Sequence, residues 1–295
     1  MVESVAEAAV VGIQTGCVYA VIALGLSIIF GIIRVINFAH GSIMMLFLYL
    51  GYFLFTLFGI DPYVSILICT PAAFGFGYAI QYGLIRRIFL REKTYVLEPL
   101  GVLMLMAGVD MVIANLGQIG FTPYVKSVQT SYSMNTFAVG SIILNVPRMV
   151  LIPVVVGLVL GVYWLLNRTE IGNTIRAVGQ NREAAAICGI NVHHIYALTF
   201  GIGCAVTALG GCAMLPFISI SPTMGLALAI KAFIVVVLGG LGSIPGMLAA
   251  GIVIGLVESI GSQFMAGGFA VLIALAVFII IIVARPRGLM GRIQV

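Results

Sequence analysis

Between Glu7 and Arg34 the chain runs for more than two dozen residues without a single Asp, Glu, Lys or Arg. Such a run is long enough to cross the hydrocarbon core of a bilayer as a helix, which takes about 20 apolar residues. The pattern repeats along the chain. Further apolar runs cover roughly 42–58, 63–85, 95–118, 147–167, 193–215, 226–238, 246–262 and 268–284. Only 8% of the 295 residues are charged, against about 25% in soluble domains. A chain of this kind cannot cover a water-facing surface. The expected fold is an all-α polytopic membrane protein with eight or nine transmembrane helices. It forms one membrane domain over 1–295, because no long polar stretch divides it.

"PFISISPTMG" (216–225) breaks the chain after the run 193–215, and two further places interrupt the pattern. "RVINFAHG" (34–41) follows the first run, and the short run 226–238 leads into "GGLGSIPG" (239–246). Both regions, 34–41 and 226–246, are expected to be broken or re-entrant, because clustered Gly and Pro do not sustain a helix. "GIDP" (59–62) reads as a tight turn. The polar stretch 119–146 is too hydrophilic to cross, and its alternating "TFAVGSIILNV" suggests a strand or hairpin. The pairs Gly12–Gly16, Gly157–Gly161 and Gly251–Gly255 have the spacing that lets membrane helices approach closely.

Arginines and lysines beside the apolar runs set the orientation. The clusters are Arg86, Arg87, Arg91 and Lys93; Arg168, Arg176 and Arg182; and Arg285, Arg287 and Arg292. With all three clusters in the cytoplasm the runs alternate consistently. The C-terminus then lies inside, the N-terminus and the 119–146 loop lie outside, and 168–192 is cytoplasmic. The formal net charge of +5 reflects this placement, and no water-exposed basic face suggests a nucleic-acid partner. The five cysteines have no metal-ligand spacing, so no metal is expected. The N-terminal "MVESVAEAAVVGIQTG" lacks the basic start of a secretory signal.

The polar island "RAVGQNREAAAICGINVHHIYALTF" (176–200) is the least expected feature. It reads as a short amphipathic helix near 181–188, capped by Asn181 and ended by Gly189 with Asn191. A connection in a helical bundle usually takes about 2–8 residues, so a segment with its own helix suggests a docking element. Within it, Glu183, Ala184, Ala185 and Gly189 form a Glu-Ala-Ala-x-x-x-Gly pattern. That pattern is similar to the coupling signature of ABC-importer permeases, without the Ile-x-Leu-Pro tail. Arg176 and Arg182 flank it.

Three blocks extend the likeness. "GLSIIFGIIRVINFAHGSIMML", "IGNTIRAVGQNREAAAICGINVHHIYALTFGIG" and "VVVLGGLGSIPGMLAAGIVIG" resemble, in order and spacing, the branched-chain amino acid ABC-transporter permeases of LivH type. The resemblance implies a bacterial inner-membrane importer subunit, with a second permease of LivM type, two ABC ATPase subunits and an extracytoplasmic solute-binding protein. ATP and Mg would sit on the ATPase subunits. This chain has no G-x-x-x-x-G-K-[ST] loop, and its only lysines are Lys93, Lys126 and Lys231. The expectation is therefore a transport subunit without an enzyme site or bound cofactor, in contact with lipid. Related permeases for urea, short amides and other small organic solutes are the alternative, followed by a stand-alone channel or carrier.

Candidate pathway residues are Asn37, His40 and Gly41 at the first break, and Gly239, Gly240, Gly242 and Ser243 at the second. For each, a structural role as cap or tight turn is the competing reading. Arg34 is expected to reach to the membrane surface. Charges within apolar runs are costly and mark candidate functional sites. There are three: Asp110, Lys231 and Glu258. Lys231 could pair with either carboxylate or meet a substrate's carboxylate.

Overall fold

The computed structural model describes residues 2–91, 97–121, 124–139, 142–264, 269–285 and 288–291. Lys93, Arg287 and Arg292 of the basic clusters lie outside these residues, and so does the side chain of Arg91. The helices are α1 (Val2–Ile33), α2 (His40–Phe58), α3 (Pro62–Ile80), α4 (Arg86–Arg91), α5 (Leu97–Phe121), α6 (Val146–Arg168), α7 (Glu170–Gln180), α8 (Arg182–Ile187), α9 (Val192–Met214), α10 (Met224–Gly239), α11 (Ile244–Phe264) and α12 (Phe269–Ala284). A π-helical turn, Gln81–Ile85, joins α3 to α4. Among the described residues, seven helices are long and apolar enough to span a membrane, and α10 and α12 are shorter apolar helices. The expected eight or nine runs are thus all helical.

α1 and α9 are the most enclosed spans, and α5 and α6 the least. The axis of the bundle is the antiparallel pair α1–α11. A β-carbon on Gly16 would sit 2.6 Å from the Cα of Ile252, and one on Gly12 2.9 Å from the Cα of Leu256. On the opposing helix, Gly251 lies against Gly16 and Gly255 against Gly12. Two of the three small-residue pairs therefore pack on each other, which brings the backbones close enough for dispersion contacts along their length. The third pair does not. Gly157 and Gly161 on α6 face open space, because α6 is peripheral.

The connections follow local chemistry. Gly59 ends α2 with φ 68°, and Asp61 caps α3 by accepting from the Tyr63 N–H at 2.8 Å, with Pro62 in the first turn. The tight turn read from "GIDP" is there. The hairpin also forms, with β1 (Thr136–Val139) antiparallel to β2 (Ile142–Asn145) and Thr136 opposite Asn145. Asn145 then caps α6. The preceding loop is tied to the α2–α3 turn. The Tyr132 hydroxyl donates to Asp61 at 2.6 Å, and its ring stacks on Tyr63. Burial, then this bond to a carboxylate, pushes the Tyr132 phenol well above its ordinary pKa.

Two of the predicted breaks need revision. The first is real but shorter, because His40 and Gly41 already belong to α2. Arg34 takes φ 57°, its N–H bonds the Phe30 carbonyl at 3.0 Å, and residues 34–39 turn back along α1. The second, 226–246, is not broken within its apolar run, and the break read from "PFISISPTMG" is the one that forms. Residues 224–239 form the uninterrupted helix α10, and the irregular stretch comes before it, at 215–223. There Ile220 is buried and pairs through its backbone with Lys126 of the loop before β1. Gly239 ends α10, Gly240 and Gly242 turn the chain at φ 96° and 80°, and α11 begins at Ile244. "GGLGSIPG" is thus a tight turn between two helices rather than a broken span.

Candidate functional site

The polar island contains two helices where one was expected. Thr169 caps α7, its Oγ1 accepting from the Gly172 N–H at 3.0 Å. α7 is amphipathic, with Ile175 and Val178 buried, and it packs on α1, α6 and α9. Asn181 then caps α8, its Oδ1 accepting from the N–H groups of Glu183 and Ala184, both at 3.0 Å. α8 ends in a Schellman motif. The Ile190 N–H reaches the Ala185 carbonyl at 3.1 Å, the Gly189 N–H reaches the Ala186 carbonyl at 3.0 Å, and Gly189 has φ 83°. Asn191, expected to help end this helix, instead caps α9. Of the α8 residues, Ala185 faces inward. Glu183, Ala184 and Ile187 are exposed, Ile187 by 87%. Arg182 lines a small cleft of about 250 Å³ with Phe89 and His193.

The predicted pathway residues separate into two places. Asn37, His40 and Gly41 lie within the bundle. The His40 Nε2–H donates to the Ile22 carbonyl at 2.8 Å. That contact sets the start of α2 roughly three turns, about 16 Å, back from the end of α1. Gly41 lies directly against the Gly225 carbonyl, and a β-carbon on Gly225 would sit 2.7 Å from the Ser42 hydroxyl. The N-terminal turns of α2 and α10 therefore cross at this level. Asn37 is 3% exposed, and neither polar atom of its side chain has a hydrogen-bond partner.

Gly239, Gly240, Gly242 and Ser243 lie at the other location, the end of the bundle that carries Arg34. Gly242 approaches Gly31, and Gly239 approaches Gly246. Gly242 and Ser243 line an open cleft of about 1230 Å³. α1 contributes Ser27 and Gly31 to its wall, the break after it Arg34, α6 Tyr163 and Asn167, and α7 Arg176, Gly179 and Gln180. Arg34 is exposed and also donates to the Gly179 carbonyl at 3.4 Å, which links the α1–α2 break to α7. Arg176 donates to the side-chain carbonyls of Asn167 and Asn173.

The three intramembrane charges do not form one group. Lys231 lies 2.6 Å from both Glu258 carboxylate oxygens, and the Tyr19 hydroxyl donates to Glu258 at 2.8 Å. Asp110 is elsewhere and accepts from the Ser42 hydroxyl at 2.6 Å. Of the candidate partners for Lys231, Glu258 is the one the structure joins to it. Sequence reasoning missed Tyr19, Ser42 and Ser27, since a lone hydroxyl in an apolar run carries no pattern. It also missed α7, although Thr169 with amphipathic spacing behind it was a usable signal. Among the described residues no three His, Cys, Asp or Glu side chains come together as a metal-holding group.

Comparison with known proteins places this geometry. The chain is 27% identical to the high-affinity branched-chain amino acid transport system permease protein BraD of Pseudomonas aeruginosa, over 96% of this chain and 95% of BraD. It is 28% identical to the permease protein LivH of Escherichia coli, over 96% of this chain and 94% of LivH. It is also 29% identical to a probable LivH of Methanocaldococcus jannaschii, over 92% and 87% of the two chains. No solved structure matches. Nine apolar helices and a capped polar island are thus set in a sequence whose residues 9–283 match one family model, and the chain belongs to that family, described as the branched-chain amino acid transport system / permease component.

Proposed function

We propose that the chain is one membrane-spanning subunit of an ATP-driven ABC importer for branched-chain amino acids. The substrate class comes from its relatives BraD and LivH, similar along almost their whole length. In this reading two ATPase subunits bind ATP and Mg²⁺ on the cytoplasmic side. A solute-binding protein delivers the amino acid outside, and a second permease of LivM type completes the pathway. The end carrying Arg34, Arg86 and Arg168 is cytoplasmic, which puts the β1–β2 hairpin and the N-terminus outside.

The observation that carries the reading is α8. It is a short helix closed at both ends by its own caps, with Glu183, Ala184 and Ile187 turned outward. An isoleucine 87% exposed, beside the arginines at one end of the bundle, suits a partner protein's groove. α7 joins α8 to α1, α6 and α9, so a push on α8 has a packed route to the central helices. Arg176, Asn181, Arg182, Glu183, Ala184, Ala185 and Gly189 are the coupling residues in this account. Alternating access would follow as ATP closes the ATPase pair and α7–α8 shifts the spans around the α2–α10 crossing, where Asn37, His40 and Gly41 sit.

Glu183→Lys reverses charge on the outward face. Gly189→Pro forces a φ near −65° where the chain needs 83° and deletes the N–H bonded to Ala186. Both variants should reach the membrane yet lose ATP-coupled uptake of leucine, isoleucine and valine. Normal uptake by both would refute the docking role.

A further inference from the structure

α5 is one of the two least enclosed spans, yet its surface is not uniform. Each residue turns a helix by about 100°. Val102, Met106, Ile113 and Gly117 therefore form one buried stripe, and Met45 of α2 lies against Gly117. Beside that stripe, within an arc of about 140°, come Asp110, Gln118, Met111, Met104 and Asn115. Asp110, Asn115 and Gln118 are the only polar side chains of α5 beyond its first turn, and all three fall on this flank. The opposite arc carries Val112, Leu116 and Ile119, which are exposed and apolar. That arc suits lipid. The polar flank does not, because a hydrocarbon chain satisfies neither a carboxylate nor an amide.

Asp110 sits midway along the 25-residue helix, at the depth where an unpaired charge is most costly. Its Oδ1 accepts from the Ser42 hydroxyl at 2.6 Å, and its Oδ2 has no donor among the described residues. The stretch from Leu97 to Asp110 covers about 20 Å, so the basic residues before α5 lie far from the carboxylate. Ser42 is 1% exposed and belongs to the first turn of α2, which has no side-chain cap. A helix N-terminus favours negative charge beside it, and Ser42 fixes the direction of the carboxylate. Ser42 also lies against Gly225, so Asp110 is at the level of the α2–α10 crossing. Transporters built with discontinuous helices hold substrate at that depth. Asn115 and Gln118 continue the polar flank toward the end that carries the hairpin, the outer end in the orientation proposed above. Met111 is 67% exposed, and a flexible, polarisable thioether adapts to aliphatic groups.

We propose that this flank of α5 lines the translocation pathway, and that Asp110, oriented by Ser42, receives the α-ammonium of the amino acid, with Met111 beside its aliphatic side chain. The substrate rests on the importer reading. The site adds a demand for a cationic group, which urea or an amide would not meet.

Two measurements test it. The first removes the charge and keeps the shape. Asp110→Asn retains an oxygen that accepts from Ser42, so a purely structural contact survives the change. With the whole transporter in liposomes, ATP-driven leucine uptake should fall at least about tenfold in Asp110→Asn, the factor expected for a lost hydrogen bond to a charged group. Uptake at the wild-type rate would overturn the proposal. The second measurement reads water access and is independent of transport. In a Cys188→Ser background, which removes the exposed cysteine, Met111→Cys, Gln118→Cys, Val112→Cys and Leu116→Cys are treated in turn with a water-soluble thiol reagent in the native membrane. Met111→Cys and Gln118→Cys should be labelled, and Val112→Cys and Leu116→Cys should not. Failure to label the first two would set the flank against lipid or another protein and overturn the proposal. If Asp110→Asn does not elute as a folded species, the labelling pattern decides. A wild type that takes up no leucine with ATP would count against the importer reading instead, and labelling would still test the pathway on its own.

Discussion

Removing one partner of the Lys231–Glu258 pair should cost far more than removing both. The ammonium sits 2.6 Å from each carboxylate oxygen, and the side chains are 21% and 19% exposed. At an effective dielectric of about 20, a 2.6 Å separation gives a gross attraction of roughly 6 kcal/mol. Desolvating the two ions offsets most of that, so the intact pair contributes little net stability. Losing one member strands the other charge in the bilayer, at about 3–5 kcal/mol for a fully buried pair. The residual exposure lets the survivor reach water or headgroups, which lowers the expected cost to about 2–3 kcal/mol. Lys231→Met and Glu258→Gln should therefore each lower the melting temperature of the purified transporter by roughly 5–10 °C. Lys231→Met/Glu258→Leu should return to within about 1 kcal/mol of the parent, the remainder reflecting the Tyr19 hydroxyl, which loses its acceptor. The assay is a double-mutant cycle of thermal unfolding in detergent, with tryptophan fluorescence from Trp164. If the two single effects simply add in the double variant, within about 0.5 kcal/mol, the pair is not coupled and the reasoning fails.

Two further outcomes follow from contacts elsewhere. Gly41→Ala would drive a methyl group into the Gly225 carbonyl at the α2–α10 crossing, and backbone cannot move aside as a side chain can. It should destabilise by at least about 2 kcal/mol, whereas Gly157→Ala, which meets nothing within 4 Å, should be neutral or stabilising; thermal unfolding of both distinguishes packing from propensity. Outside the membrane, the Tyr132 phenol is pushed above its ordinary pKa by burial and by Asp61, so the folded form holds its proton longer than the unfolded chain does. The stabilisation is present below about pH 10, where unfolded tyrosine ionises, and is lost as pH rises toward the folded value. Tyr132→Phe should flatten that alkaline loss in a stability–pH profile, and an unchanged slope would contradict it.

The sequence exposed those features that depend on local pattern. The nine apolar runs, the "GIDP" turn, the hairpin and the Asn181 and Gly189 caps each follow from hydropathy or turn chemistry within a few residues. What depended on distant packing was not visible. Gly157–Gly161 has the same spacing as Gly12–Gly16, yet only the latter faces another glycine pair, because α1 is central and α6 peripheral. "PFISISPTMG" marked the break at 215–223, but the further break expected within 226–246 did not form, for a related reason. A 16-residue helix looks too short to span, but α10 need not cover the full thickness when residues 215–223 lead back into the bundle. Within the candidate site, the coupling segment was legible in its caps, and the charges were legible as charges. Their partners, Glu258 for Lys231 and Ser42 for Asp110, lie far away in sequence and needed the fold.

The most direct test of the central claim is co-purification. The chain is tagged and drawn from its native membrane in a gentle detergent, and its companions are identified by mass, in the wild type and in Glu183→Lys. An importer subunit docked through α8 should bring down two ATPase subunits and a second permease, and Glu183→Lys should lose the ATPases while keeping the permease. Recovery of the chain alone, still able to move leucine in liposomes, would contradict the account and make it a carrier or channel.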